Sequence, residues 1–228
     1  MGNLDFGVVR QAFPYLLEGM GLTISLTLLA AILGLAFGIV LALMRLSSFR
    51  VISAPAATYV NVMRSIPLLL VIFWFYFLVP YVGAWLIGAT QPIQVGALRS
   101  VIVGFTLFEA AYFCEIVRAG IQSIPRGQVS AAYALGLNYR QAMTSVVLPQ
   151  AIRNMIPSLL TRTIIIFQDT SLVYVVALTD FLGAATKIGQ RDGRLTELYL
   201  FVAVVYLVVC FLASRSVKRL ELRTLRAR

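Results

Sequence analysis

Six ionisable side chains lie within or beside long apolar stretches of this 228-residue sequence. A charge at the centre of a membrane helix costs about 2.5–3.5 kcal/mol on insertion scales, so a retained charge predicts an ion pair, a gate or a solute pathway. Arg118 follows Glu115 by three residues, a spacing that predicts an ion pair along one helix. The six are Arg64, Glu109, Glu115, Arg118, Arg162 and Asp169.

Two sets of polar residues that are predicted to lie within the membrane are candidates for a solute pathway. Arg64 and Ser65 precede Pro67, and we expect them to face a polar block whose side chains can donate and accept hydrogen bonds. Glu109 is a further candidate, although it would repel an acidic solute unless paired or protonated. The alternatives for Arg64 are structural: it snorkels to the interface or pairs with a glutamate of another span. The block consists of Gln168, Asp169, Thr170 and Ser171.

The composition excludes several classes of protein. Hydrophobic residues make up 60% of the chain, charged residues 12%, and the mean hydropathy is +0.90, which excludes a soluble enzyme, a disordered protein and a nucleic-acid-binding domain. Histidine is absent, so histidine catalysis and histidine metal sites are excluded. Neither lysine follows a glycine, so the chain has no P-loop for ATP and no cofactor site is predicted.

The apolar stretches that must position these charges predict an all-α integral membrane protein in one transmembrane domain over 1–228. A membrane helix needs about 20 mostly apolar residues. An outer loop or re-entrant turn is expected over 80–97, where prolines and glycines occur, and a polar loop over 179–196. The predicted spans lie near 22–44, 59–79, 99–121, 156–178 and 198–213.

The distribution of arginine and lysine predicts the orientation of the chain. With the N-terminus outside, the inner segments hold twelve such residues, six of them in the tail 215–228, and the outer segments hold five. The positive-inside rule therefore favours an N-out, C-in topology, which five spans also require. Lys187, Arg191 and Arg194 lie on the outer side in this assignment.

The inner segment 122–154 predicts two short helices separated by a glycine turn. Residues 128–135 are good helix formers and end at Gly136, a typical residue just beyond a helix C-terminus. Asn138 is an N-cap candidate with Gln141 three residues later, as in a capping box. Pro149 disfavours helical geometry at the residue before it, so we expect the second helix to end near Val147.

The spacing of small residues in this segment resembles the EAA motif of the permease subunits of bacterial ATP-binding-cassette importers. In that family the motif forms the coupling helix that docks on the ATPase subunit, and Ser130 here stands for its glutamate and Val146 for its isoleucine. The glutamate's absence puts in doubt one polar contact to the ATPase. The docking loop that the resemblance implies comprises Gly127, Ser130, Ala131, Ala132, Gly136, Leu148 and Pro149.

Three further blocks, 59–76, 108–128 and 167–181, resemble the polar-amino-acid branch of these permeases. Shorter stretches, such as 44–48 and 188–193, resemble glutamate/aspartate importers more narrowly. The resemblance implies a type I importer permease fold in the bacterial inner membrane. It also implies alternating access, a second permease in a homo- or heterodimer, two ATPase subunits that bind ATP and magnesium, and a periplasmic amino-acid-binding protein. The chain itself is then not an enzyme.

Other functions remain open at this stage. A close variant is a permease for glutamine or a basic amino acid. A secondary transporter or channel would work without ATP, but no internal repeat is visible and five spans are few. A membrane scaffold without a transport path predicts that Asp169 and similar polar residues are dispensable.

Overall fold

The computed structural model describes residues 5–226, so the last two residues of the predicted basic tail lie outside it. The described chain is helical, with one π-helical turn before α4, another before α8 and a 3-10 helix after α8. The helices are α1 (Gly7–Arg45), α2 (Arg50–Arg64), α3 (Leu68–Phe73), α4 (Val79–Leu86), α5 (Ala97–Gln122), α6 (Arg126–Ala134), α7 (Tyr139–Ala142), α8 (Leu148–Asp169), α9 (Phe181–Asp192) and α10 (Leu195–Arg226).

Within the described residues, five helical stretches are long and apolar enough to cross a membrane. This confirms the predicted all-α membrane architecture and the predicted number of spans. Several stretches are longer than a single crossing needs at 1.5 Å per residue, so they extend beyond the apolar ranges read from the sequence. The five are Gly7–Arg45, Leu68–Leu86, Ala97–Gln122, Tyr139–Val176 and Leu195–Leu222.

The centre of the fold is the contact between α1 and α5. Gly34 and Gly38 are buried on α1, where a Cβ atom would lie 2.8 Å from Glu109 Cβ and 2.7 Å from Phe113 Cβ, respectively. The glycines therefore let the two helices approach closely, as small residues do in membrane proteins. Their spacing serves packing within this chain, and it places the buried Glu109 in the interior.

The second predicted span, 59–79, is interrupted in the structure. Helix α2 ends at Arg64 and α3 begins at Leu68, because Pro67 has an extended backbone and precedes the new helix. The predicted outer loop over 80–97 is also shorter than expected. Pro80 lies in the first turn of α4, where proline is tolerated, so the helix continues to Leu86.

The segment 122–154 has the predicted helix, turn and second helix start. Asn138 accepts a hydrogen bond from the Gln141 backbone N–H, and the Gln141 side chain accepts one from the Asn138 N–H, which confirms the capping box. The expected end near Val147 was wrong. A π-helical turn over Met143–Val147 leads directly into α8, so Pro149 lies in the first turn of that helix and does not break it.

The predicted polar loop over 179–196 was wrong for most of its length, since it contains the helix α9. Asp180 caps this helix by accepting hydrogen bonds from the backbone N–H groups of Leu182 and Gly183. One face of α9 is apolar and packs against the first turns of α1 and the start of α10. The buried residues of this cluster are Val8, Ala12, Leu16, Phe181, Ala184, Ala185, Ile188, Leu198 and Val202.

Candidate functional site

An ion pair between α5 and α8 occupies the middle of the fold. The Arg162 guanidinium donates hydrogen bonds from Nε to Glu109 Oε2 and from a terminal nitrogen to Glu109 Oε1, both at 2.7 Å. The Glu109 side chain is completely buried and that of Arg162 is 11% exposed. A bidentate pair satisfies both carboxylate oxygens, which makes a buried charge tolerable at this depth. Because Glu109 is paired with Arg162, its negative charge is neutralised and would not repel an anionic solute.

Two arginines lie close to the ring of Tyr112. The Arg162 guanidinium carbon lies 3.8 Å from the centre of this ring, and that of Arg64 lies 5.5 Å from it. Both distances are within the range of a cation–π interaction. Tyr112 thereby connects the Glu109–Arg162 pair to Arg64, which belongs to another helix. The sequence reading did not single out Tyr112, although its position three residues after Glu109 could have indicated a shared helix face.

Three arginines surround Glu115. Arg118 donates two hydrogen bonds to Glu115 Oε2, at 3.2 and 2.7 Å, which confirms the predicted pair along α5. Arg45 contacts Oε1, and the nearest nitrogen of Arg64 lies 3.7 Å from the same oxygen. The inner arginine cluster, which we define as Arg45, Arg64, Arg118 and Glu115, joins α1, α2 and α5. Arg45 was not predicted as a site residue.

These groups form a series of neighbours along α5, and each step of three residues turns about 60° around the helix axis, so the series winds from one side of the helix at Glu109 to the other at Arg118. Glu109, Tyr112, Glu115 and Arg118 follow one another at intervals of three residues, and Gln122 accepts a hydrogen bond from Arg118 at 2.6 Å. Residues three and four apart are neighbours on a helix surface. The result is a polar stripe that extends from the buried ion pair to the end of α5, where the loop containing α6 begins.

The predicted pathway residues are not all brought together by direct contacts. Arg64 contacts the polar stripe of α5, and the Ser65 hydroxyl donates to the Asn61 carbonyl. Asp169 is half-buried at the end of α8, where its charge interacts with that of Arg162. Thr170 is buried and donates to the Phe167 carbonyl, Ser171 is half-buried and Gln168 is exposed.

A cavity of about 400 Å³ lies between α5 and α8 beside the inner arginine cluster. Its size is within the usual range for sites of small molecules. Glu115 lines it at one side, and Ser123, Asn154 and Ser158 supply polar groups. Among residues 5–226, no group of three or more histidine, cysteine, aspartate or glutamate side chains is placed to hold a metal ion.

The predicted docking loop presents a mixture of small and large residues. Gly127, Ser130, Ala131 and Pro149 are exposed, whereas Ala132 is buried and Leu148 is half-buried. Gly136 has φ +80°, a conformation that favours glycine, and its N–H donates to the Tyr133 carbonyl at 2.9 Å. This turn sets the angle between α6 and α7.

Exposed apolar side chains border the same turn. Leu135, just after α6, is 82% exposed, and Tyr139, the first residue of α7, is 65% exposed. Large exposed apolar residues rimmed by polar ones are typical of protein-interaction sites. The prediction of the docking loop was based on the small residues of the motif, so it did not include Leu135 or Tyr139. Their apolar side chains next to the Gly136 turn could have indicated an interaction surface.

Comparison with known families decides the class of protein. Residues 34–226 match the family described as the inner membrane component of binding-protein-dependent transport systems. The chain belongs to this family. It is an inner membrane permease subunit of an ATP-binding-cassette importer and is not itself an enzyme. Importers of this family function with ATPase and binding-protein partners, which agrees with the absence of a P-loop from the sequence.

Curated relatives of this permease transport amino acids according to their names. The glutamate/aspartate import permease protein GltK of Escherichia coli O6:H1 is 48% identical over 224 residues, covering 98% of this chain and 100% of GltK. The arginine transport system permease protein ArtQ of Bacillus subtilis is 33% identical over 219 residues, covering 96% of each chain.

Solved structures support the fold of this permease. An amino acid ABC transporter crystallised with histidines has a TM-score of 0.87 and 31% identity, covering 97% of this chain and 100% of that chain. The inward-facing MetNI methionine transporter has a TM-score of 0.66 at 18% identity, covering 90% and 96%. The second likeness concerns the fold alone. Together with the five spans, the family fixes this chain as a type I importer permease.

Proposed function

We propose that this permease is a transmembrane subunit of an ATP-driven importer for glutamate and aspartate. The observation that carries the proposal is the 48% identity to GltK over essentially the full length of both chains. A match over 98% of this chain covers the spans, the docking loop and the segments between them. The narrower resemblances at 44–48 and 188–193 point to the same substrates.

The energy for transport comes from a partner in this proposal. ATP and magnesium bind to two ATPase subunits, and the loop from Gly127 to Pro149 docks on one of them. The capping box of Asn138 and Gln141 and the glycine turn at Gly136 support this role, because they set the backbone geometry beside the exposed apolar residues of the loop. The π-helical turn then joins the loop to α8 without a break, so a displacement of the loop is transmitted to the span.

The substrate pathway in this proposal follows the polar side chains at membrane depth. It includes Arg64, Ser65, Glu109 and the block Gln168–Ser171. An acidic amino acid carries a net negative charge, so arginines must provide the attraction while Glu109 is neutralised by Arg162. Alternating access exposes this pathway first to the binding protein outside and then to the cytoplasm.

The assembly that we propose contains a second permease, either another copy of this chain or a related one. The N-terminus lies outside and the C-terminus inside, which places the docking loop next to the ATPase. A periplasmic binding protein delivers the amino acid to the outer mouth. Selectivity is then shared between that protein and the pathway.

Competition for uptake tests the substrate. The complete complex, reconstituted in proteoliposomes with its binding protein, is supplied with radiolabelled glutamate and with unlabelled aspartate, glutamine or arginine. We expect aspartate alone to compete. Competition by glutamine or arginine in place of aspartate would overturn the substrate and leave the importer class intact.

A second candidate function is import of another polar amino acid. Permeases named for glutamine and for arginine in Bacillus subtilis are 34% and 33% identical to this chain. The lower identity makes this candidate weaker than glutamate/aspartate import. The same competition experiment separates the two.

A further inference from the structure

We propose that the inner arginine cluster is an anion site, where the side-chain carboxylate of an acidic substrate binds transiently before its release to the cytoplasm. This inference rests on the proposed function and adds a second binding site along the substrate pathway. The site is formed by Arg45, Arg64 and Arg118 around Glu115, and Glu115 is the member of the cluster that also lines the neighbouring cavity.

The charge balance of the cluster favours an anion. Three guanidinium groups share the single carboxylate of Glu115, which leaves an excess of two positive charges (3 − 1 = 2). Oxygen Oε2 already accepts both hydrogen bonds from Arg118, and Oε1 contacts Arg45. Like charges in a partly desolvated setting repel one another, so an added carboxylate would stabilise the cluster.

Arg64 is the member that is available to a ligand. Its side chain is 42% exposed, compared with 15% for Arg45 and 28% for Arg118, and its nearest nitrogen lies 3.7 Å from Glu115. Arg45 and Arg118 are thus held by Glu115 as the base of the site. The Arg64 guanidinium can move towards a bound carboxylate without breaking a short hydrogen bond to Glu115.

Tyr112 connects the inner arginine cluster to the buried Glu109–Arg162 ion pair. Arg162 and Arg64 both lie against its ring, at 3.8 and 5.5 Å from the ring centre. In this proposal an anion that leaves the neighbourhood of Arg162 reaches Arg64 across the Tyr112 ring. Two successive weak binding sites lower the free-energy barrier to movement of the anion between them, as multiple weak sites do in ion channels.

The adjacent cavity favours a small solute over a lipid headgroup. It lies between α5 and α8 with a volume of about 400 Å³, and Glu115 of the cluster is part of its lining. Ser158 adds a hydroxyl to this lining, and the Asn154 amide donates a hydrogen bond to the Ser123 hydroxyl at 2.8 Å. Arg45 and Arg118 are mostly covered by protein and Arg64 is 42% exposed, so the measurement with phosphatidylglycerol separates a solute site from a lipid site.

Binding to the assembled complex tests the proposal. The complex is placed in nanodiscs without binding protein or ATP, and binding of radiolabelled glutamate and of glutamine, its neutral analogue, is measured by equilibrium dialysis. Arg64→Gln removes the charge and Arg64→Lys retains it. Arg50→Gln is the matched control, because Arg50 is an exposed arginine at the other end of α2. Each protein is measured in neutral phosphatidylcholine and again with phosphatidylglycerol added.

We expect Arg64→Gln to weaken glutamate binding by about tenfold, the loss expected when one charge-assisted contact is removed, with glutamine binding unchanged. Arg64→Lys should retain most of the affinity, and Arg50→Gln should match the wild type. Equal glutamate binding by Arg64→Gln and the wild type would overturn the proposal. Loss of glutamate binding on addition of phosphatidylglycerol would also overturn it and assign the cluster to lipid.

Uptake assays distinguish this failure from that of the proposed function. If the wild-type complex imports glutamate but Arg64→Gln imports it equally well, the anion site fails and the importer stands. If the wild-type complex imports a different amino acid and no glutamate, both the substrate and the anion site fail. ATP hydrolysis by the variant complex shows whether it is assembled.

Discussion

Arg162 and Glu109 are 53 residues apart in the sequence and form two hydrogen bonds of 2.7 Å in the interior of the fold. Their helices are α8 and α5, so the pair connects the span that follows the docking loop to the span that precedes it. Removal of one partner from a buried pair leaves an uncompensated charge, which is more harmful than removal of both. We therefore expect the effects of substituting Glu109 and Arg162 on stability to be non-additive.

We expect Arg162→Gln to lower the stability of the complex by about 3–5 kcal/mol, because Glu109 is completely buried and loses its partner. The double substitution Glu109→Gln with Arg162→Gln should be less harmful than the sum of the two single changes. Thermal unfolding of the purified complex, followed by size-exclusion chromatography, measures both effects. Additive effects of the single changes would contradict a direct pair.

The exposed pair of Arg191 and Asp192 supplies the matched control. Its two side chains form hydrogen bonds of 2.6 and 2.9 Å, but Arg191 is 72% exposed. Exposed ion pairs contribute little to stability because water screens them. We expect Arg191→Gln to leave the unfolding temperature of the complex unchanged in the same assay.

A second prediction concerns the close contact of α1 with α5. Gly38→Ala places a Cβ atom 2.7 Å from Phe113 Cβ and 3.0 Å from the Ala110 carbonyl oxygen, so the helices must separate. We expect a loss of about 1–3 kcal/mol, as for other overpacked interiors. Gly21→Ala is the control on the same helix, since nothing lies within 4 Å of its added Cβ. That change should be neutral or stabilising, and a reversed order of the two variants would contradict the packing.

A third prediction concerns the pH dependence contributed by Asp180. Burial raises the pKa of this helix-capping carboxyl from 3.8 to about 6, against the opposing effect of its hydrogen bonds from Gly183 and Leu182. The folded protein then binds the proton more tightly than the unfolded chain does. The contribution of Asp180 is therefore most favourable below pH 4 and declines as the pH rises from about 4 to about 6.

The variant Asp180→Asn isolates this effect, because asparagine caps helices about as well as aspartate but does not titrate. We expect the difference in unfolding temperature between Asp180→Asn and the wild type to increase in favour of the variant from pH 4 to pH 6.5, and then to level off. Asp180→Ala, which lacks the cap, should be less stable than Asp180→Asn at each pH. A difference between Asp180→Asn and the wild type that does not change with pH would contradict the raised pKa.

A fourth prediction concerns the docking loop. Leu135 is 82% exposed beside the Gly136 turn, so Leu135→Ser should leave the permease folded but weaken its association with the ATPase by about tenfold, as for a contact at the centre of an interface. The amount of ATPase that remains bound during purification measures the effect. Ile87→Ser is the control, since Ile87 is an equally apolar residue that is 70% exposed outside this loop. Equal retention by both variants would exclude Leu135 from the interface.

Hydropathy and local motifs predicted much of the fold. The five spans follow from apolar length, and the capping box of Asn138 and Gln141 follows from local spacing. Prolines were harder to interpret, because their effect depends on the neighbouring turn. Pro67 interrupts a span, whereas Pro149 follows a π-helical turn and is accommodated in α8. Nothing in the local sequence distinguishes the two.

The site was less predictable because its contacts are long-range. Glu115 and Arg118 are close in the sequence, and their pairing was predicted. The partner of Glu109 lies on a different helix, so charge and burial indicated that a partner was needed but not that it is Arg162. Likewise, Arg45 and Tyr112 belong to the site only because α1, α2 and α5 meet there. Helix pairing in three dimensions is not encoded in any single segment.

Uptake by the reconstituted complex tests the central claim most directly. Proteoliposomes that contain this permease, its partner permease and the ATPase are given labelled glutamate, with and without ATP on the ATPase side and binding protein on the opposite side. We predict accumulation only when both are present. Accumulation without ATP, or without the binding protein, would contradict the assignment of this chain to an ATP-driven, binding-protein-dependent importer of glutamate.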